Sequence, residues 1–163
     1  MLFLLFELDA DRYALDAAAI VEVQALSAAK AIPGAPAWVA GVVERRGEPV
    51  PVIDVAQLAL GRPSQRLRST RLVFVRYLDE HDGEQANHTT STHILGLIVE
   101  RATQTRRIEC ERFADSGIAT PQARWLGPVA TDELGMIQWI DVQQMLDDKV
   151  KALLFQQRQA EPR

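Results

Sequence analysis

The chain has 163 residues, a formal net charge of −4 and a hydrophobic fraction of 47%. This length is sufficient for one domain or two small lobes that bury about 70% of the unfolded surface. A pI of about 5.4 argues against nucleic-acid binding through overall positive charge. No apolar run approaches the ~20 residues of a membrane-spanning helix, so we expect membrane association only through partners.

The single cysteine, Cys110, cannot form an internal disulfide, and residues 1–8 lack the basic start and cleavage site of a secretory signal. These two observations predict a protein of the reducing cytoplasm.

Short apolar runs separated by Gly, Pro or Asp recur at the spacing of an all-β barrel or sandwich. We therefore predict a mainly β protein. The predicted strands are residues 3–8, 12–15, 20–23, 39–43, 50–53, 72–77, 94–99, 103–108 and 136–140.

Residues 32–54 are the most informative part of the chain. Pro33, Gly34 and Pro36 predict a turn, and the apolar run that begins at Trp38 predicts a buried strand. Arg46-Gly47 then predicts a reversal into a second strand. The two prolines of that strand, Pro49 and Pro51, cannot donate hydrogen bonds and suit an edge or a bulge. The result is a hairpin with an arginine at its tip.

Two helices are predicted. The first covers residues 55–60 and ends at Gly61 and Pro63. The second is amphipathic, because apolar residues recur in steps of three and four, and it begins at a capping box made by Asp141 and Gln144. Its apolar residues are Val142, Met145, Leu146, Val150, Leu153 and Leu154. We expect this face to pack on the protein's own core, and we expect the polar tail, 156–163, to fray.

Residues 79–93 contain no apolar residue larger than alanine, so we predict a solvated loop. All three histidines, His81, His88 and His93, lie there beside carboxylates, which raises a zinc hypothesis. Their spacing fits no established ligand motif, and we predict no metal site.

Four features occur in an informative order: Glu22 after an N-terminal strand pair, the run 36–42, the turn Arg46-Gly47, and the strand end 51–54. In this the chain resembles the CheW-like family, which comprises coupling proteins of bacterial chemosensory arrays and the matching regulatory domain of their histidine kinases. The similarity continues weakly at residues 94–99 and 136–146.

The resemblance implies two interleaved SH3-like five-stranded β-barrel lobes over residues 1–155, with a hydrophobic groove between them and a C-terminal helix. It also implies that Asp16 and the alanines after it form a short helical turn that leads into a strand. The implied function is that of an adaptor, or scaffold, that couples the cytoplasmic tip of a chemoreceptor to the regulatory domain of a CheA-type histidine kinase, without a cofactor.

The resemblance assigns receptor contact to four residues: Ile20, Glu22, Gly41 and Arg46. Glu22 and Arg46 are expected to lie near each other, with the carboxylate orienting the guanidinium. The alternative for this pair is a surface ion pair of at most ~1 kcal/mol. Gly41 permits a close backbone approach, either of a partner or of a neighbouring strand. No residues are assigned to the kinase contact.

The chain departs from the family pattern in three places. Residues 44–47 read Glu-Arg-Arg-Gly where members typically have Asn-Leu-Arg-Gly, residues 127–129 replace a glycine-rich turn, and 79–93 reads as an insertion. These departures favour an accessory coupling protein of a dedicated, non-swimming system of the Wsp type.

Two other classes of function are less favoured. An enzyme would depend on Cys110, but the sequence contains no established catalytic motif. A nucleic-acid-binding barrel would use Arg62, Arg66, Arg68 and Arg71, but no aromatic residues alternate with these arginines to stack bases. A solvated linker is the favoured interpretation of this arginine cluster.

Overall fold

A computed structural model describes residues 1–82, 88–118 and 120–155, without the side chains of 79–82 and 88–91. The described residues form ten strands and two α-helices. The strands are β1 (Leu2–Leu8), β2 (Asp11–Asp16), β3 (Ile20–Ala25), β4 (Val39–Arg45), β5 (Glu48–Asp54), β6 (Arg71–Asp82), β7 (His88–Val99), β8 (Gln104–Arg107), β9 (Leu126–Asp132) and β10 (Gly135–Ile140). The helices are α1 (Val55–Leu60) and α2 (Asp148–Leu154).

The strands form two five-stranded sheets, so the predicted mainly β fold with two five-stranded units is confirmed. Lobe A has the order β8-β1-β2-β10-β9, and lobe B has the order β3-β6-β7-β5-β4. The chain thus begins in lobe A, builds lobe B and returns to lobe A. In each lobe an isolated backbone bridge links one edge strand to the segment that follows the opposite edge strand. Val42 of β4 is bridged to Lys30, after β3, in lobe B, and Val129 of β9 is bridged to Ala114, after β8, in lobe A.

The continuous apolar runs of the strands arise because both faces of each sheet are buried. Along β6, Leu72 and Phe74 belong to a core inside lobe B, whereas Val73, Val75 and Tyr77 belong to a larger core shared by the two lobes. Alternate side chains of a strand point to opposite faces, so a strand between two cores needs apolar residues at successive positions.

The two lobes repeat the same hairpin. The backbone N–H of Asp54 donates to the carbonyl of Trp38, and the N–H of Asp141 donates to the carbonyl of Trp125, both at 2.8 Å. The sequence spacing from tryptophan to aspartate is the same in both pairs. The β4–β5 and β9–β10 hairpins also each contain a register shift. This internal repeat was not evident from the sequence alone.

Most predicted elements are confirmed, including α1 with the left-handed Gly61 at its end and the short 3₁₀ turn Ala17–Ala19 with Asp16 as its cap. Strand β9 was not predicted. The prediction of a loop over 79–93 is wrong for most of that segment, since β6 continues to Asp82 and β7 begins at His88. Threonine-rich sequence favours such extended pairing.

The prediction of one continuous C-terminal helix is also wrong. A 3₁₀ turn, Val142–Gln144, precedes α2, and the side chain of Asp147 accepts a hydrogen bond from the N–H of Val150 at 2.8 Å. Asp147 is thus a second N-cap, which starts a new helix. The apolar face still packs inward, as predicted, through Val142, Met145 and Val150.

No helix in the described ranges has the length and apolar character needed to cross a membrane. The predicted tail, 156–163, lies outside the described residues.

Candidate functional site

The hairpin of β4 and β5 ends in a two-residue turn, as predicted. Arg45 pairs with Glu48 across the end of the hairpin, and Arg46 and Gly47 between them have φ values of 51° and 77°. Two successive positive φ values give the twist that tight antiparallel hairpins prefer. Arg46 is therefore fixed at the tip, which we call the lobe B tip (residues 45–48).

Glu22 is paired with Arg45 and not with Arg46. Nε of Arg45 donates to Oε2 of Glu22 at 2.9 Å, and the guanidinium lies 5.5 Å from the ring centroid of Phe74. Arg46 makes no ion pair among the described residues. Glu22 lies close to the tip, as expected, but its carboxylate binds Arg45 and not Arg46.

Ile20 and Glu22 lie on opposite faces of β3. Ile20 pairs with Val75 of the shared core, whereas Glu22 pairs with Phe74 of the lobe B core. Residues two apart normally share a face of a strand, but a register shift at Val21 separates these two. The four predicted contact residues therefore do not form one continuous patch.

Gly41 is required by the protein's own backbone. Its φ is 141°, and a Cβ at this position would lie 2.1 Å from the carbonyl oxygen of Lys30. The Lys30 and Val42 backbones exchange hydrogen bonds of 2.9 and 2.8 Å beside it. The sequence left open whether a partner or the protein's own backbone approaches Gly41. The structure shows the backbone of Lys30, in the same chain, at this position.

An open cleft of about 590 Å³ lies beside the lobe B tip. It exists because the ladder between β5 and β7 begins only at Val52, so the strands diverge where Pro49 and Pro51 cannot donate hydrogen bonds. Opposite these prolines, the ring of His93 stacks on Phe155 with 4.3 Å between centroids. Arg46 lies among the residues that line this cleft.

A second cleft, of about 390 Å³, lies on lobe A beside the turn that connects β2 to β3. Ala19, the last residue before β3, is one of its lining residues. Its lining includes Leu15, Ala19, Pro128, Trp139 and Val142. The junction between the lobes is filled by the shared core, and this cleft is lined by strands of lobe A and by the turns that follow them, so the groove expected between the lobes stays a prediction.

The residues considered for catalysis, metal binding or nucleic-acid binding are not assembled into a site in the described part of the chain. Cys110 is exposed on a 3₁₀ turn after β8, in lobe A, whereas His93 lies in lobe B. No group of three metal-ligating side chains occurs among those described. From the arginine cluster, Arg62 binds the buried Glu100, at 2.9 Å.

Sequence reasoning missed Arg45 as the partner of Glu22. The signal was present, because an additional charge replaces an apolar residue immediately before the tip arginine. This additional charge marks Arg45 as unusual, but the sequence does not show which side chain Arg45 contacts.

The fold defines a class of domain with two interleaved five-stranded lobes, in which a hairpin tip of one lobe lies beside an open cleft. The model of the family described as CheW-like domain matches residues 2–150, and the chain therefore belongs to this family.

Among solved structures, the chain is similar to the scaffolding protein TtCheW from Thermoanaerobacter tengcongensis. The TM-score is 0.73 at 21% identity, over 90% of this chain and 87% of that one. At this identity the likeness concerns the fold. A comparison with curated protein sequences finds no match.

Proposed function

We propose that this protein is a chemosensory adaptor that couples the cytoplasmic tip of a chemoreceptor to the regulatory domain of a CheA-type histidine kinase, in the cytoplasm. Membership of the CheW-like family supports this proposal. So does the description of the structurally similar TtCheW as a scaffolding protein.

The observation that carries the proposal is the exposed Arg46, held without an ion-pair partner among the described residues at the mouth of a cleft. A guanidinium offers a planar set of donors to the carboxylates or amides of a helical partner. Ile20, partly buried against the shared core, supplies an apolar contact for the same helical hairpin. Gly41 and Glu22 belong to this site through the backbone and the ion pair that hold the lobe B tip.

Weak individual contacts suffice for such a scaffold. In an array, many linked contacts raise the effective concentration of each partner. Signal transfer requires that receptor conformations differ in their affinity for the adaptor and kinase together, because equal affinity transmits nothing.

Reversal of the charge at the tip tests the proposal. We expect Arg46→Glu to weaken capture of receptor cytoplasmic hairpins encoded in the same genome by at least about tenfold, because a charge-assisted contact becomes repulsive. Capture is measured by pull-down and titration, and circular dichroism checks folding. Arg66→Glu, at another exposed arginine, is the matched control. Equal capture by the wild type and Arg46→Glu would contradict the assigned site.

Replacement of the cysteine separates a scaffold from a thiol-dependent enzyme. Cys110 is exposed and lies in the lobe opposite the tip, so we expect Cys110→Ser to leave receptor and kinase capture unchanged. Complementation of a deletion strain measures function in the cell. Loss of signalling in a strain that makes normal amounts of the folded variant would favour thiol chemistry.

A further inference from the structure

The Glu22–Arg45 ion pair joins the two edges of lobe B. Glu22 lies on β3 and Arg45 on β4, which are the outermost strands of the sheet order. The side chain of Arg45 is 13% exposed, and that of Glu22 is 41% exposed. Together with the Lys30–Val42 backbone bridge, the pair brings these edges together and holds the base of the hairpin.

Lobe A contains the same closure with the charges reversed. The repeat that relates Trp38 to Trp125 places Asp132 at the position of Arg45. Its partner Arg106 pairs with Phe3 across β8 and β1, as Glu22 pairs with Phe74 across β3 and β6.

Nη1 of Arg106 donates to Oδ2 of Asp132 at 2.6 Å, between the two edge strands of lobe A. Phe3 and Phe74 each belong to the inner core of their own lobe, so the two ion pairs occupy corresponding places. The fold therefore accepts an acidic residue at the position that corresponds to Arg45, although Asp132 binds Arg12 as well as Arg106.

We infer that Glu22 and Arg45 are positioning residues that close lobe B and orient its tip, and that Arg46 is the tip charge presented to the receptor. This inference rests on the proposed function. Arg45 takes the carboxylate of Glu22, while Arg46 makes no ion pair in the described ranges. A receptor surface that fits this tip places a carboxylate against Arg46 next to an apolar side chain for the prolines of the cleft.

A polarity reversal tests the inference. Glu22→Arg and Arg45→Glu are made singly and together, and unfolding in urea and capture of receptor cytoplasmic hairpins are measured at a temperature where every variant is folded. We expect each single variant to capture the hairpin at least about fivefold more weakly, because like charges displace the tip. The double variant should recover both stability and capture to within about twofold.

Arg46→Glu is the control that separates contact from positioning. It should retain wild-type stability and lose capture, and no second change at Glu22 should restore it. A double variant that recovers stability but captures as poorly as Arg46→Glu would overturn the inference, because Glu22 or Arg45 would then touch the receptor. A double variant no more stable than either single variant would overturn the closing role.

Failure of the proposed function has a different signature. In that case the wild type itself captures none of the hairpins, and the stability cycle alone decides whether the two residues close the lobe.

Discussion

Replacement of Asp132 by asparagine should lower the free energy of unfolding by about 3 kcal/mol at neutral pH. Arg12 donates to both carboxylate oxygens, Arg106 donates to Oδ2, and the N–H of Leu134 donates to Oδ1 at 2.8 Å. The side chains of Arg12 and Asp132 are only 12% and 10% exposed. Asparagine leaves the largely buried guanidinium of Arg12 without its counter-charge, which is the costly part of breaking such a pair.

The loss should depend on pH. The hydrogen bond from Arg12 is the largest cause that holds the pKa of Asp132 well below its ordinary value; burial opposes it, and Arg106 and the N–H of Leu134 reinforce it. Because the folded-state pKa lies below the unfolded value of about 3.9, the stabilisation is complete above that pH and is lost as pH falls through the folded-state pKa.

Urea unfolding at a series of pH values measures both effects. The stability difference between the wild type and Asp132→Asn should be constant near neutrality and shrink below about pH 4. Glu133→Gln is the matched control, because this neighbouring carboxylate is exposed and makes no ion pair in the described structure, so we expect a change within about 0.5 kcal/mol. A difference between wild type and Asp132→Asn that persists unchanged into acid would contradict this account.

The strands of lobe B could be predicted because their residues leave few alternatives. Apolar residues at successive positions, bounded by prolines and glycines, are typical of strands buried on both faces, and Arg46-Gly47 has a residue that tolerates positive φ at the required place in the turn. These patterns depend only on neighbouring residues, and they predict the structure correctly when the tertiary fold favours the same local conformation.

Strand β9 was missed because its local signal is contradictory. Gly127 and Pro128 are typical of a turn, yet they lie in a strand at the edge of lobe A, where a missing backbone donor is tolerated. Trp125 and Asp141 stand as far apart in the sequence as Trp38 and Asp54, but this spacing becomes meaningful only once the structure shows that the two hairpins correspond.

The partner of Glu22 could not be predicted from the sequence in the same way. Arg45 and Arg46 are adjacent, and the choice between them depends on how the two edges of lobe B meet. Arg45 is the last residue of β4 and lies over Phe74, whereas Arg46 has entered the turn. A difference of one residue in register therefore determines which arginine binds Glu22 and which one is free of ion pairs among the described residues.

Substitution of Gly41 by alanine should destabilise the protein by at least about 3 kcal/mol. An added Cβ would lie 2.1 Å from the carbonyl oxygen and 2.6 Å from the carbonyl carbon of Lys30, and both atoms belong to backbone that cannot rotate away. Relief of this clash requires separation of Lys30 from Val42, which breaks the two hydrogen bonds that link β4 to the segment after β3.

Gly61→Ala separates this clash from simple backbone strain. Gly61 also has a positive φ, 71°, but a Cβ there would meet no atom within 4 Å, so its substitution should cost only about 1 kcal/mol. Urea unfolding compares the two variants, and amide hydrogen exchange at Lys30 and Val42 reports the bridge directly. Gly41→Ala should lose protection at both amides while Gly61→Ala retains it, and equal stability of the two variants would refute the close approach of Lys30. Arg45 and Arg46 follow Gly41 on the same hairpin. A folded Gly41→Ala protein should therefore also capture receptor hairpins poorly. This result would show that Gly41 acts on the lobe B tip indirectly, through the Lys30 backbone that packs against it.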